Sequence, residues 1–372
     1  MTSRRKVTLR TCLSVFFVAV LVMVLSQSGH AQTAAKPIKL TYALFQPATA
    51  AITKVNTEFA KEIEKRTNGR VQITVFPGGS LIGAPQMFQG VKNGIADMGN
   101  AITSYTPGNF PFTSIAELPN GAESGWAISY AQYDFINKYQ PKEWDGVHLL
   151  TAVSPGADNL GVGSGKKPIQ KMEDWKGKSV RTNHADITVA LGGTVKDVPM
   201  ADVYDSLSKG VLDVVVGTTE PFKSWKLGDV CKYITINTSP LQPSIVWYNI
   251  MNKGKWNSLP ADIQKIIAEV SNEYVGKLGV AWDDQGVAGI EYCKSVGANI
   301  YVLPKAEADR WGATTGAVID ARLKALVKKG FSQKEVDEAW AYFKGRVAYW
   351  NGQQAKQNIT PLIARLEKAA GK

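Results

Sequence analysis

The chain has 372 residues, 44% of them hydrophobic and 20% charged, with a formal charge of +11. That length exceeds one ordinary core and suits two lobes, and this composition, with no low-complexity tract, excludes a largely disordered chain. Lysine and arginine are scattered and never form a dense run, which argues against nucleic acid as a partner.

The N-terminus reads as a targeting segment. Arg4, Arg5, Lys6 and Arg10 are followed by an apolar stretch from Cys12 to Leu25, too short to span a bilayer comfortably. Ser28-Gly29-His30-Ala31 then offers small residues, with cleavage expected after Ala31. Cys12 stands at the wrong end of the apolar stretch for a lipid anchor. Residues 1–31 are therefore predicted to be a signal peptide, with the mature chain released into the periplasm. Loss of the four leader cations lowers the charge from +11 to +7, which mildly favours anionic ligands. Cys231 and Cys293 remain; two cysteines do not make a disulfide framework, and buried free thiols are the expected state.

Ile38, Leu40, Tyr42 and Leu44 alternate and predict a strand. Ile52, Val55, Phe59 and Ile63 share one helical face, and Gly69 supplies a stop. Val71, Ile73 and Val75 alternate before Pro77-Gly78-Gly79; Met87, Phe88 and Val91 predict a short helix; Ile95 to Met98 predict a strand. Such a β-α-β-α-β series signifies an open sheet with helices on its faces. The series is echoed further on. Met87 to Met98 is matched by Val203 to Val214, each a short helix, a glycine (Gly94, Gly210) and a strand with aspartate at the same place (Asp97, Asp213). Before the second copy, Gly177–Arg181 reads as a strand, Ala185–Leu191 as a helix and Thr194–Val198 as a strand. Two such units imply two lobes facing a cleft.

Leu241 to Met251 is rich in β-branched and aromatic residues and is expected to return to a sheet. Pro260 opens a helix, and the apolar pattern from Ile263 through Tyr274, Leu278 and Trp282 to Tyr292 predicts an unusually long one, bridging both lobes. The rest is mostly helical. Ile359, Leu362, Ile363 and Leu366 form a final stripe of the kind that packs. The chain thus reads as α/β and two-lobed, each lobe a mixed sheet flanked by helices. Lobe I is expected at 37–158 plus 247–286 and lobe II at 159–246 plus 287–340, with 341–372 as C-terminal helices packing on both. Crossings near Asn159 and near Val246 would form the hinge.

Several segments, in collinear order over residues 38 to 300, resemble the extracytoplasmic receptors of TRAP transporters, the DctP family, whose fold is that of periplasmic binding proteins. They include Thr67 to Ile73 with Gly78-Gly79-Ser80-Leu81, Asn93 to Met98, Tyr105 to Pro111 with Leu118-Pro119, and Lys167-Pro168-Ile169 with Glu173 to Arg181. Asp202-Val203-Tyr204 through Asp213, Lys232 to Thr235, and Trp256 with Leu259-Pro260 complete the set. The resemblance implies a monomeric receptor that takes a small organic acid and hands it, by hinge closure, to the small and large membrane subunits of a permease. It also implies that Arg181 pairs with the ligand carboxylate, a role suited to a planar fork of donors that stays charged when buried.

Two departures shape the expected ligand. Asn159 stands where some members carry a second arginine, and Thr218 and Thr219 stand where many have asparagine. With Phe45, Tyr105, Trp126 and Trp247 as candidate walls, a monocarboxylate with an apolar or aromatic body is expected over a C4-dicarboxylate.

Enzyme readings fail on residue supply. The mature chain keeps only His148 and His184, so a multi-histidine metal site is impossible, and His184 is read as a water-exposed residue at a helix start. Gly161 to Gly165 fits neither a nucleophile elbow nor a dinucleotide loop. No cofactor, metal or catalytic residue is expected. The alternatives are a receptor for an ATP-driven importer or sensor, which shares the two-lobed physics, and a periplasmic hydrolase.

Overall fold

The computed structural model describes residues 36–157, 160–239 and 241–371; the leader segment, with Cys12, and Asn159 lie outside them. In chain order the first elements are β1 (Ile38–Leu44), α1 (Ala51–Arg66), β2 (Val71–Phe76), α2 (Met87–Lys92), β3 (Met98–Ile102), α3 (Gly125–Tyr139) and β4 (Val147–Val153). There follow β5 (Gly161–Ser164), β6 (Ser179–Arg181), α4 (Ala185–Ala190), β7 (Thr194–Val195), α5 (Val203–Ser208) and β8 (Val214–Gly217). Next come α6 (Pro221–Ser224), α7 (Leu227–Val230), β9 (Tyr233–Ile236), β10 (Trp247–Asn252) and α8 (Lys253–Ser258). The chain ends with α9 (Ala261–Ser295), β11 (Asn299–Val302), α10 (Lys305–Lys328), α11 (Gln333–Gln354) and α12 (Leu362–Ala370).

The strands form two mixed sheets, one ordered β2-β1-β3-β10-β4 and the other β11-β9-β5-β8-β6-β7. In the first, β1 and β3 run parallel while β10 is antiparallel to β3 and β4. In the second, β5 is antiparallel to β8 and β9, and β6 is parallel to β8. Alternation along the second sheet separates its two faces. Val215, Ile234 and Ile236 join a core with Phe222, Ile290 and Leu366, whereas Val162, Val214 and Val216 join one with Trp175 and Trp311. A sheet covered on both faces needs such continuous apolar strands.

The echo has one physical cause in both lobes. Gly94 and Gly210 turn the chain at φ +79° and +74°, a conformation open to glycine. The carboxylate that follows then pins the neighbouring strand, midway along β1 and at the start of β6: Thr41 N–H donates to Asp97 Oδ2 at 2.8 Å, and Ser179 N–H to Asp213 Oδ2 at 3.0 Å. Asp97→Ala and Asp213→Ala are each expected to cost about 1–2 kcal/mol by stranding a backbone donor, and to add in the double variant because they lie in separate sheets. Denaturant titration checks this; no loss in either single variant refutes the pinning role.

Some element ends differ from expectation. The strand after Gly94 starts at Met98, because Asp97 is spent on Thr41, and β8 likewise starts at Val214. The β-rich run from Leu241 enters the sheet only at Trp247, since Pro243 offers no N–H to a ladder. Val246 is already fastened to the first sheet: its N–H donates to Glu117 Oε1 at 2.9 Å, and its carbonyl accepts from Thr103 N–H at 3.1 Å. The strand expected to reach Val198 ends at Val195, and α12 begins at Leu362, beyond Ile359.

The helix α9 runs 35 residues, about 50 Å at 1.5 Å per residue. It packs on α1, α3 and β4 at one end and on α6, α7, β11 and α12 at the other, so it spans both lobes. Cys231 and Cys293 are free and buried, and burial pushes both thiols up. Among the described residues, no helix is long and apolar enough to cross a membrane.

Candidate functional site

The carboxyl ends of β1, β3, β6 and β8, and the amino ends of antiparallel β5 and β10, converge on one cavity between the sheets. Counted out to where it meets solvent, and with that open solvent included, its volume is about 600 Å³. Residues just past the carboxyl end of a strand carry no ladder duty, so their side chains are free to face a ligand.

From the first sheet come Phe45, Gln46, Tyr105 and Trp247, with Trp282 from α9. Phe45 stacks on Trp247 at 5.5 Å and meets Tyr105 edge-on at 5.4 Å, and Trp247 leans on Trp282 at 4.3 Å. This makes an aromatic wall. Set into it are orphaned polar atoms: the Gln46 side chain is 3% exposed, and neither its Oε1 nor its Nε2, nor Trp247 Nε1, has a hydrogen-bond partner among the described residues. Leaving such groups unmet costs about 1–3 kcal/mol each. They are groups that a polar substituent on a ligand would satisfy.

The facing wall belongs to the second sheet. Arg181 ends β6 beside Val215 of β8 and is 7% exposed. Its Nε donates to the Val198 carbonyl at 3.4 Å, and no carboxylate of the described residues forms an ion pair with it. A buried guanidinium with open donors is an anion site in waiting. Thr218 and Glu220 complete this wall with Met200, Phe222 and Trp225. Glu220 is 5% exposed, and burial pushes its carboxyl up to about 7.

Of the residues expected to touch ligand, Arg181, Tyr105, Thr218, Trp247 and Phe45 line this cavity. Two do not. Thr219 turns its hydroxyl onto the Gly286 carbonyl at 2.8 Å and packs α9, because neighbouring strand-end residues point to opposite sides. Trp126 lies on α3, meeting Tyr130 and Trp350 edge-on at 5.0 and 5.2 Å; it is helix packing surface. His184 is buried at 4% rather than exposed. Gln46 and Glu220 went unread, although each lies within three residues of a strand's carboxyl end, which is the signal that finds them.

No group of three or more His, Cys, Asp or Glu among the described residues is arranged to hold a metal ion. The glycines of β5 have a packing explanation: a Cβ at Gly163 would fall 2.6 Å from Phe222 and 2.9 Å from Cys231 Sγ.

Residues 43–325 match the model of the family described as bacterial extracellular solute-binding protein, family 7, DctP. A solute-binding protein of Albidiferax ferrireducens is 26% identical over 225 residues, 58% of this chain and 64% of that relative, so a little under two thirds of its length is spanned. A TRAP periplasmic solute-binding protein of Desulfovibrio salexigens, solved as an open complex with the C-terminus of a symmetry mate in its ligand-binding site, is 28% identical. It superposes with a TM-score of 0.71 over 84% of this chain and 95% of its own. A TRAP periplasmic solute-binding protein of Bordetella bronchiseptica, solved with (R)- and (S)-mandelate, is 25% identical with a TM-score of 0.75, covering 84% and 99%.

Proposed function

Because this chain belongs to the family 7 bacterial extracellular solute-binding proteins, the non-catalytic receptors of TRAP transporters that bind organic acids, we propose that its own cargo is a monocarboxylate with an aromatic or apolar body. The observation that carries this reading is a buried arginine with no carboxylate partner among the described residues, set opposite an aromatic wall in one cavity. Arg181 takes the carboxylate, the rings of Phe45 and Trp247 cover the body, and Gln46 with Trp247 Nε1 meets a hydroxyl or keto group. The mandelate complex of the Bordetella relative supports this chemistry, since mandelate is an aromatic monocarboxylate with one hydroxyl.

In this reading the protein works in the periplasm by closing. Contacts from both walls to one anion favour the form in which the lobes approach, and that form docks on the two permease subunits, which supply the energy. The crossings near Asn159 and near Val246 act as the hinge, with α9 as the third link. Lobe I, as 37–158 plus 247–286, then moves against lobe II, as 159–246 plus 287–340.

A thermal-shift screen over organic acids tests the ligand class. A ligand at 100-fold its Kd adds about 2.7 kcal/mol to stability, so the true class stands out as a clear rise in melting temperature. The expected best hits are aromatic or 2-hydroxy and 2-keto monocarboxylates; a C4-dicarboxylate as the strongest hit rejects the proposal.

A further inference from the structure

The cavity holds one acidic side chain that anion binding alone does not call for. Glu220 sits three residues past the end of β8, on the same wall as Arg181, and is 5% exposed. Among the described residues, no cation forms an ion pair with it. Lys223 on its own helix, α6, forms no ion pair with it among the described residues. On the elements packed against α6, Asp229 of α7 accepts from Tyr292 Oη at 2.5 Å, Asp283 of α9 accepts from Gly125 and Gly156 N–H at 2.7 and 3.0 Å, and Asp284 pairs with Arg365. Arg181 across the wall is the cation lining the cavity, and by the reading above the ligand claims it.

We propose that Glu220 is a charge filter: it makes the cavity accept an organic anion with one carboxylate and turn away the same molecule carrying a second. The inference rests on the monocarboxylate reading. With a monoanion bound, Arg181 is matched and Glu220 faces a neutral part of the ligand, where its carboxyl exchanges a hydrogen bond with a hydroxyl or keto oxygen. With a dianion bound, the second carboxylate meets Glu220 away from bulk water. Either two like charges stay close, or Glu220 takes up a proton on binding; both lower affinity. Burial pushes this carboxyl up to about 7, so the filter belongs to its ionised form and the preference is read above that pH.

A matched pair tests the filter: mandelate and phenylmalonate, in which a carboxylate replaces the hydroxyl on the same carbon, with benzoate and isophthalate as a second pair. Titration calorimetry on the wild-type chain is expected to show at least a tenfold preference for the monoanion in each pair. Glu220→Gln, which keeps shape and removes charge, is expected to shrink that preference at least tenfold, with folding verified by its melting curve. A wild-type preference under twofold overturns the filter without recourse to the variant, as does a Glu220→Gln preference within twofold of wild type. If folded wild-type protein binds none of the four probes, the monocarboxylate reading itself fails and the filter falls with it.

Discussion

Arg181→Ala is expected to weaken ligand binding by about 2–4 kcal/mol, a loss of roughly 30- to 1,000-fold, because it leaves a carboxylate buried in the cavity without its partner. Arg181→Lys is expected to recover part of the loss, since an ammonium restores charge without the planar fork. The same change has a second, opposite readout. In the ligand-free protein Arg181 is 7% exposed, with Val198 O as the acceptor of its Nε and no ion pair among the described residues. Truncation relieves that desolvation cost, so the ligand-free variant is expected to melt no lower than wild type. Calorimetry with the best screening hit and melting curves without ligand check both halves. An unchanged dissociation constant removes Arg181 from the site; weakened binding with a collapsed melting point assigns it to folding instead.

Gly289→Ala is expected to destabilise the fold by about 2–4 kcal/mol, against the usual helical preference for alanine of at most about 1 kcal/mol. A Cβ at Gly289 would stand 1.9 Å from the Thr219 carbonyl oxygen, and one at Gly279 would stand 2.4 Å from that of Gly125. Backbone cannot swing aside as a side chain can, so α9 has to lift away from the turn that carries Thr218 and Glu220. Binding is expected to suffer along with stability. Gly345→Ala on α11 is the control: nothing lies within 4 Å of its Cβ position, and it is expected to stabilise slightly. Denaturant titration of both variants decides, and a neutral or stabilising Gly289→Ala refutes the close contact.

The sequence carried the periodic parts of this molecule well. Alternation in Ile38 to Leu44 and the apolar face of Ile52 to Ile63 match β1 and α1, because burial on one side is what imposes those periods. The echo marked two α/β units for a reason visible only in space, the bond from each aspartate to the next strand. The strand β3 was harder to read, since its Gly99-Asn100-Ala101 is buried through hydrogen bonds: Asn100 Nδ2 donates to the Tyr248 carbonyl at 3.0 Å and Asn249 Oδ1 at 2.7 Å. The site divides likewise. Arg181 stood out through a family pattern, and Phe45, Tyr105, Thr218 and Trp247 through chemistry and position. Trp126 and Thr219 lie off this cavity, since a residue type says nothing about which side of an element it occupies. Gln46 and Glu220 were passed over because a lone Gln or Glu near a strand end looks like any solvated residue until its surroundings are known.

Arg181 closes a strand, Phe45, Gln46, Tyr105, Thr218 and Glu220 sit one to three positions beyond strand ends, and Trp247 is the first residue of β10, so these seven stand at the margins of the sheets. Duplicated copies of such a gene can therefore exchange those few positions and acquire new cargo while the scaffold beneath drifts separately. A lineage built this way diversifies its diet without relearning how to fold.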